Sequence, residues 1–440
     1  DWALSRERYW GTPLPIWVCD QEDTHRDFIG SFEQLREKYG DLGDSFDPHK
    51  PYIDELTWSC AHCAGTMRRT PEVIDVWFDS GAMPYAQWHY PFENEGRWRR
   101  HFPPDYICEG VDQTRAWFYS LMAISSMLGD GPAYKHVVVN DLVLDAQGQK
   151  MSKSKGNVVD PWQAINAYGV DAIRWYFLTA SQPWVPKRFD TDALSEAAHR
   201  IFDTLANSYK FFALYANLEH YRAGEHHRDS SVTLPLMDRW ILSRLSTLVG
   251  QVRGDLDAYE FTRAARAIGE FIVDDISNWY VRRSRDRFWG SIDNAETRAA
   301  FDTLAEVLAT VARLLAPMTP FQSDWLHRAI TGGSVHLARY PEASEWERDE
   351  TLERGMEAVR VLARLGRAAR ERVKVKVRQP LRALHAFTPV RDLAAELVAV
   401  LRDELNVKEV RFLQRSEDLV AFRAQPNFRV LGKRLGGKAQ

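Results

Sequence analysis

Lys150-Met151-Ser152-Lys153-Ser154, within the longer run from Asp145 to Asn157, is the stretch from which the rest of this chain can be read. The apolar, β-branched run before it, His136 to Leu144, reads as a buried strand, and the Asp145-Ala146-Gln147-Gly148 turn ends that strand in an exposed loop. Several ammonium groups would then stand at a strand's end. Lysines on a glycine-containing loop can neutralise a triphosphate and the charge that develops on departing pyrophosphate. A solvated basic turn is the plain alternative for a generic Lys-Ser-Lys.

Composition sets the frame. With 440 residues, 45% hydrophobic and 27% charged, two to four globular domains are expected, and disorder or a fibre is excluded. A net charge of -4 argues against whole-surface attraction to nucleic acid, so RNA binding would need local basic patches. No membrane-length apolar run and no signal-peptide pattern occurs, which predicts a soluble, cytoplasmic protein. Four cysteines, two of them as Cys60-Ala61-His62-Cys63, suit a reducing compartment and a metal-type spacing. The chain opens on Asp1-Trp2-Ala3 rather than methionine, which reads as a fragment.

Prolines 13 and 15 predict an extended connector from Trp10 to Trp17. A small module at about 15–70 follows, in which Cys19, Cys60 and Cys63 could hold zinc. A fourth ligand is missing unless Glu22, Asp23 or His25 supplies it, and a metal-free module held by packing is the expected state. The alternation Val73, Asp75, Trp77 against Ile74, Val76, Phe78 predicts a strand running into a turn at Gly81. Tyr106 to Phe118 reads as a strand end, a glycine turn at Gly110 and a helix capped by Asp112, with Trp117, Leu121, Ile124 and Leu128 at helical spacing. A strand's carboxyl end meeting a helix's amino end is where open α/β sheets bind ligands, so Glu109, Asp112 and Gln113 fall where polar recognition is useful.

Asp160-Pro161 starts a short helix, and Asp171 is expected to cap the next. From Leu236 to about Ile330 the pattern is long amphipathic helices punctuated by Gly290, Pro317 and Pro320. In one of them Ile272, Ile276 and Trp279 share a face, leaving Tyr280, Arg282, Arg283 and Arg285 partly outside it for phosphate contact and base stacking. An arginine-rich helix from Arg354 to Arg370 precedes Val373 to Pro380, whose alternation predicts a half-exposed strand with outward basic residues.

The pentapeptide at 150–154 is identical to the signature of class I aminoacyl-tRNA synthetases. Trp2 to Gly11, Asp75-Val76-Trp77-Phe78-Asp79-Ser80-Gly81, the Glu109 to Trp117 run, Glu404 to Val410 and Asn427 to Gly432 resemble the isoleucyl branch, in its eukaryal-like form. Two departures stand out: Ala116 replaces a glycine, and Cys19-Asp20-Gln21-Glu22 replaces a second C-x2-C pair. The resemblance implies an α/β plus all-α fold. Residues 1–160 would be the second half of a Rossmann-like catalytic domain with its loop at 145–157; 161–235 a stem-contact fold; 236–340 a helical anticodon-binding bundle; and 341–440 part of a small α+β C-terminal junction.

By the same resemblance, Lys150 and Lys153 are catalytic and, with Met151, Ser152 and Ser154, bind ATP with Mg2+. Trp77, Glu109, Gly110, Asp112, Gln113 and Trp117 hold the aminoacyl-adenylate, the two indoles walling the aliphatic side chain. Arg282, Arg283 and Arg285 touch tRNA. The implied reaction joins isoleucine to ATP, releases pyrophosphate and charges tRNA(Ile), in a parent enzyme that is a monomer and binds no membrane. A missing methylene is worth only about 1 to 3 kcal/mol, isoleucine against valine being the standard illustration of that limit, so such enzymes also edit. No His-x-Gly-His and nothing like an editing insert occurs, so the chain alone is expected not to activate isoleucine. The rival readings are a valyl or leucyl enzyme, a tRNA-binding module without catalysis, and a zinc-dependent nucleic-acid binder.

Overall fold

The computed structural model describes residues 2–224 and 233–416. It divides into two compact units, residues 1–157 with 183–188, and residues 158–182 with 189 onward. The Asn427 to Gly432 segment lies outside the described residues.

The first unit runs β1 (Ser5–Arg6), β2 (Ile16–Cys19), β3 (Arg26–Phe28), α1 (Phe32–Tyr39), β4 (Trp58–Ser59), β5 (Thr66–Arg69), β6 (Val73–Ile74), α2 (Val76–Ala86), α3 (Glu95–His101), β7 (Tyr106–Gly110), α4 (Trp117–Leu128), β8 (His136–Asn140), β9 (Val143–Leu144) and β10 (Lys187–Arg188). The expected small module is an antiparallel sheet ordered β3-β2-β5-β4. Its centre is Trp17, with no solvent exposure, whose indole N–H donates to Leu56 O at 2.8 Å, so the polar edge of the ring is satisfied inside the core. The proline-bearing connector is extended, and Pro13 bridges to Val73.

Three local expectations for this unit are corrected. Residues 73–81 are not one strand: β6 stops after Ile74 because the Asp75 carboxylate accepts the Trp77 backbone N–H at 3.2 Å and starts α2, which contains Trp77, Phe78 and Gly81. Asp112 does not cap α4; residues 111–115 form a tight 3-10 turn, and the Gln113 side-chain oxygen accepts the Trp117 N–H at 3.1 Å instead. The run 136–144 is not one buried strand. It breaks after Asn140, where Asp141 N–H donates to Pro183 O and Leu142 O accepts the Lys187 N–H, so the chain leaves β7 and pairs β9 with β10. His136 and Val137 are exposed, since a two-stranded pair cannot cover both its faces.

The second unit is helical: α5 (Pro161–Tyr168), α6 (Val170–Ala180), α7 (Thr191–Ala198), α8 (Thr204–Leu218), α9 (Leu236–Asp257), α10 (Phe261–Glu270), α11 (Arg282–Ser284), α12 (Ala295–Leu315), α13 (Pro320–Thr331) and α14 (Glu350–Arg372), followed by β11 (Leu381–Ala386), α15 (Ala395–Leu405) and β12 (Val407–Phe412). A π-wound stretch, Phe271–Val281, joins α10 to α11. Ile241, Leu245, Ile268, Ile272, Ile276, Leu304 and Leu308 are all at zero exposure in one continuous core. Each contributes on the order of 2 kcal/mol through burial.

Asp160 caps α5 as expected. Asp171 does not cap α6. It sits inside that helix and its Oδ2 accepts the Gln322 N–H at 2.7 Å, capping the first turn of α13, 151 residues away. Tyr280 is not outside the shared face: it is fully buried, donating to Asp238 Oδ1 at 2.7 Å. Val373–Pro380 is a turn rather than a strand, because the buried Arg370 guanidinium donates to Lys376 O and Gln379 O and folds the segment back on itself. The strand comes after it: β11 and β12 are parallel and α15 crosses between them, a βαβ unit packed beside α14.

Candidate active site

β7 and β8 pair in parallel with Gly110 opposite Asn140, so both strands end on one side of the sheet. Glu109 and Gly110 close β7 there, and Asp112 and Gln113 occupy the turn that follows. Glu109 and Asp112 are exposed and Gln113 is half-buried. A methyl at Gly110 would stand 2.6 Å from Asp112 Oδ1, so a side chain there would drive the carboxylate from its place. Gln113 is used twice: its amide N–H donates to Asp112 at 3.0 Å while its oxygen starts α4, which fixes both side chains in the turn.

The two tryptophans sit on packed helices. An added Cβ at Gly81 of α2 would lie 2.8 Å from the Ser120 backbone of α4, so only glycine permits this approach. Trp117 donates from its indole N–H to Ser80 O at 3.2 Å, tying α4 to the turn of α2 that begins at Trp77. Trp77 is 40% exposed, an aromatic surface available to a ligand. Behind it, Asp75 accepts the Trp2 indole N–H at 2.9 Å and Arg6 at 2.7 Å. Burial pushes the Asp75 carboxyl up, but these donors, the Trp77 N–H and Arg8 outweigh it and leave it below its ordinary value. Asp79 on the same helix goes the other way, raised by burial.

The lysine loop leaves β9 through a turn closed by the Gly148 N–H to Asp145 O bond and the Leu144–Lys150 bridge. Lys153–Lys155 form one 3-10 turn, and Lys150, Lys153, Ser154 and Lys155 are exposed, with Met151 and Ser152 half-buried. Asp145, which opens the turn after β9, and Asn157 meet across the base of this loop at 2.8 Å. Their position at the two ends of a lysine-rich run was the only available signal.

In the small module the structure chooses among the three substitutes for a fourth ligand. Cys19, His25, Cys60 and Cys63 place their ligand atoms within 4.8 Å of one another; Glu22 and Asp23 are not in the group. Cys19 and Cys63 sulfurs are 3.4 Å apart and Cys60 Sγ is 3.5 Å from His25 Nδ1, close to the edge of about 3.8 Å that a tetrahedron with zinc–sulfur bonds requires. The backbone N–H of His62 points at Cys60 Sγ and that of Gly65 at Cys63 Sγ, donors that stabilise thiolates. The His62 N–H leads in drawing the Cys60 thiol down to about 7. At Cys63 the Gly65 N–H pulls downward, but the Cys19 thiol and burial prevail and raise it to about 11. The four residues therefore fit a metal of zinc's preference.

Arg282, Arg283 and Arg285 are not a free basic row. Arg282 and Arg283 bond the Glu404 carboxylate, 2.9 and 2.5 Å, and Arg367 pairs with it too. Arg285 lies over the Phe211 ring. The larger guanidinium cluster belongs to the arginine-rich helix expected from Arg354 to Arg370: Arg360, Arg364 and Arg367 on α14 line, with Arg282 and Trp279, a cleft of about 580 Å³ that also takes in Asp274 and Glu357.

Residues 1–185 match the family of tRNA synthetases class I (I, L, M and V), and residues 238–385 match the anticodon-binding domain of tRNA ligase. Isoleucine--tRNA ligase of Thermus thermophilus is 46% identical over 99% of this chain, as is Isoleucine--tRNA ligase 2 of Bacillus cereus, and that of Clostridium novyi is 45% identical. The chain spans about two fifths (42%) of the length of these relatives. Among solved structures, the ternary LeuRS-tRNA-LeuAMS complex of Agrobacterium radiobacter K84 shares the fold, with a TM-score of 0.58 at 22% identity, covering 78% of this chain and 42% of that one. A tRNA synthetase class I domain is thus followed in order by an anticodon-binding domain of tRNA ligase, in a chain that is similar over 99% of its length, at near-half identity, to isoleucine--tRNA ligases.

Proposed function

We propose that this chain is the part of an isoleucine--tRNA ligase that binds the adenylate and the anticodon arm. In that reading Lys153, helped by Lys150, neutralises the triphosphate and the leaving pyrophosphate, and Mg2+ accompanies ATP. Glu109, Asp112 and Gln113 hold the aminoacyl-adenylate, and Trp77 and Trp117 wall its aliphatic side chain. The isoleucine carboxylate is itself the nucleophile, so the protein contributes geometry and charge rather than a covalent group. The observation that carries the reading is the register of β7 on β8: it ends Glu109-Gly110 and Asn140 on one side, with the exposed lysine loop just downstream of the second strand.

The helical bundle and its arginine-lined cleft support contact with tRNA(Ile), and the Cys19, His25, Cys60, Cys63 group supports a structural zinc. The enzyme in this reading is a cytoplasmic monomer; separately, no helix among the described residues is long and apolar enough to cross a membrane. Lys153→Ala in a full-length enzyme carrying these residues should slow isoleucine-dependent ATP–pyrophosphate exchange at least a hundredfold, since a preorganised charge at a leaving group is worth roughly 3 kcal/mol. Binding of tRNA should hold. An exchange rate that does not change would overturn the assignment, and valine or leucine supporting exchange better than isoleucine would move the chain to another branch.

A further inference from the structure

The lysine loop is exposed, yet its two ends are closed by side chains that the functional reading does not use. Asn157 spends its whole amide on the loop. Nδ2 donates to Asp145 Oδ2 at 2.8 Å and to Lys150 O at 3.3 Å, and Oδ1 accepts the Ser152 N–H at 2.9 Å. Asp145 uses its other oxygen for the Gln149 N–H at 2.7 Å, and its backbone N–H donates to Gln149 O. Both side chains are half-buried. Asn157 is first among the groups that hold the Asp145 carboxyl below its ordinary range, so the pair stays amide against carboxylate at neutral pH. The result is a frame around residues 145–152 from which only Lys153 to Gly156 projects as a single turn.

We infer that Asp145 and Asn157 form a clasp that sets where Lys153 can reach, making them positioning residues for the triphosphate step. The clasp rests on the functional reading above for its purpose, though not for its existence. Its chemistry makes it testable, because the junction needs one donor and one acceptor. Asn157→Asp is nearly the same shape but sets two carboxylates against each other, and loses the donor to Lys150 O. Pairing Asp145→Asn with Asn157→Asp restores one amide and one carboxylate in the opposite order.

In this chain, digestion with endoproteinase Lys-C can be followed by mass spectrometry at Lys150, Lys153 and Lys155. Asn157→Asp should raise cleavage there roughly tenfold by freeing the loop, with the global melting temperature little changed, and the exchanged pair should recover most of the protection. Equal cleavage of the unaltered chain and Asn157→Asp would overturn the clasp, as would a doubly exchanged chain as labile as the single variant.

In the full-length enzyme, Asn157→Asp should lower kcat for exchange at least fivefold, leave KM for isoleucine in place, and recover in the exchanged pair. If Lys153→Ala abolishes exchange but Asn157→Asp leaves it intact, the positioning role fails. If Lys153→Ala is itself silent, the functional reading fails while the cleavage result still decides the clasp.

Discussion

His25 shows how much one side chain can decide. A zinc ion needs four donors at tetrahedral spacing, and three cysteines alone leave one position open. The β2–β3 turn brings His25 Nδ1 to 3.5 Å from Cys60 Sγ, and that contact completes a three-sulfur, one-nitrogen set. Purified chain should therefore carry about one zinc by mass spectrometry, and His25→Ala should lose most of it on dialysis against a mild chelator. Zinc-free protein with an intact module would refute the site. Glu22 and Asp23 stood as close in sequence as His25 and offered plausible ligands. What separates them is the direction of a backbone turn, which no spacing rule encodes.

At the scale of the element, Asp171 is the instructive case. Its place after Gly169 in the sequence resembles a local N-cap, but the carboxylate reaches past its own helix to the Gln322 N–H at the start of α13. Helix α13 begins with Pro320 and its own preceding residue, Thr319, makes no side-chain cap, so a free donor was left for a distant acceptor. Asp171→Ala should cost about 1 kcal/mol in urea unfolding, the usual worth of a cap.

Burial raises the Asp171 pKa above its ordinary 3.8. The proton-linked part of its contribution is therefore complete below about pH 4 and is lost as pH rises through the folded value, while the ionised carboxylate keeps the bond from the Gln322 N–H. Asp171→Asn keeps an acceptor and cannot ionise, so this variant should show a flatter stability profile across that window. A profile as steep as the unaltered chain's would show that another group sets the slope.

Within the helical unit as a whole, three arginines from two segments converge on Glu404, whose side chain is only 2% exposed. Arg282 and Arg283 come from α11 and Arg367 from α14, so the carboxylate joins the bundle to the βαβ layer that ends the described chain. Glu404→Gln should lower the stability of this unit by about 2 kcal/mol. That is below the 3 to 5 kcal/mol of a fully buried pair, because Arg282 and Arg367 are each 42% exposed and regain water. Hydrogen exchange should quicken in α15 and β12, and an unchanged urea midpoint would show the cluster to be decorative.

Much of this protein was settled by its amino-acid order. The exposed turn of the lysine pentapeptide, the strand end at Glu109 and Gly110, the Asp160-Pro161 start of α5 and the amphipathic bundle helices are local patterns, and local patterns carry their own geometry. Tertiary structure decided the partners. It took Tyr280 into the core to meet Asp238, tied two expected RNA-facing arginines to Glu404, turned Val373–Pro380 away from a strand through Arg370, and closed Asp145 on Asn157. Periodicity records which way a side chain leaves its own backbone. Which distant charge or donor will be waiting there depends on how separate segments pack, because a buried polar group takes whatever partner the fold delivers to it.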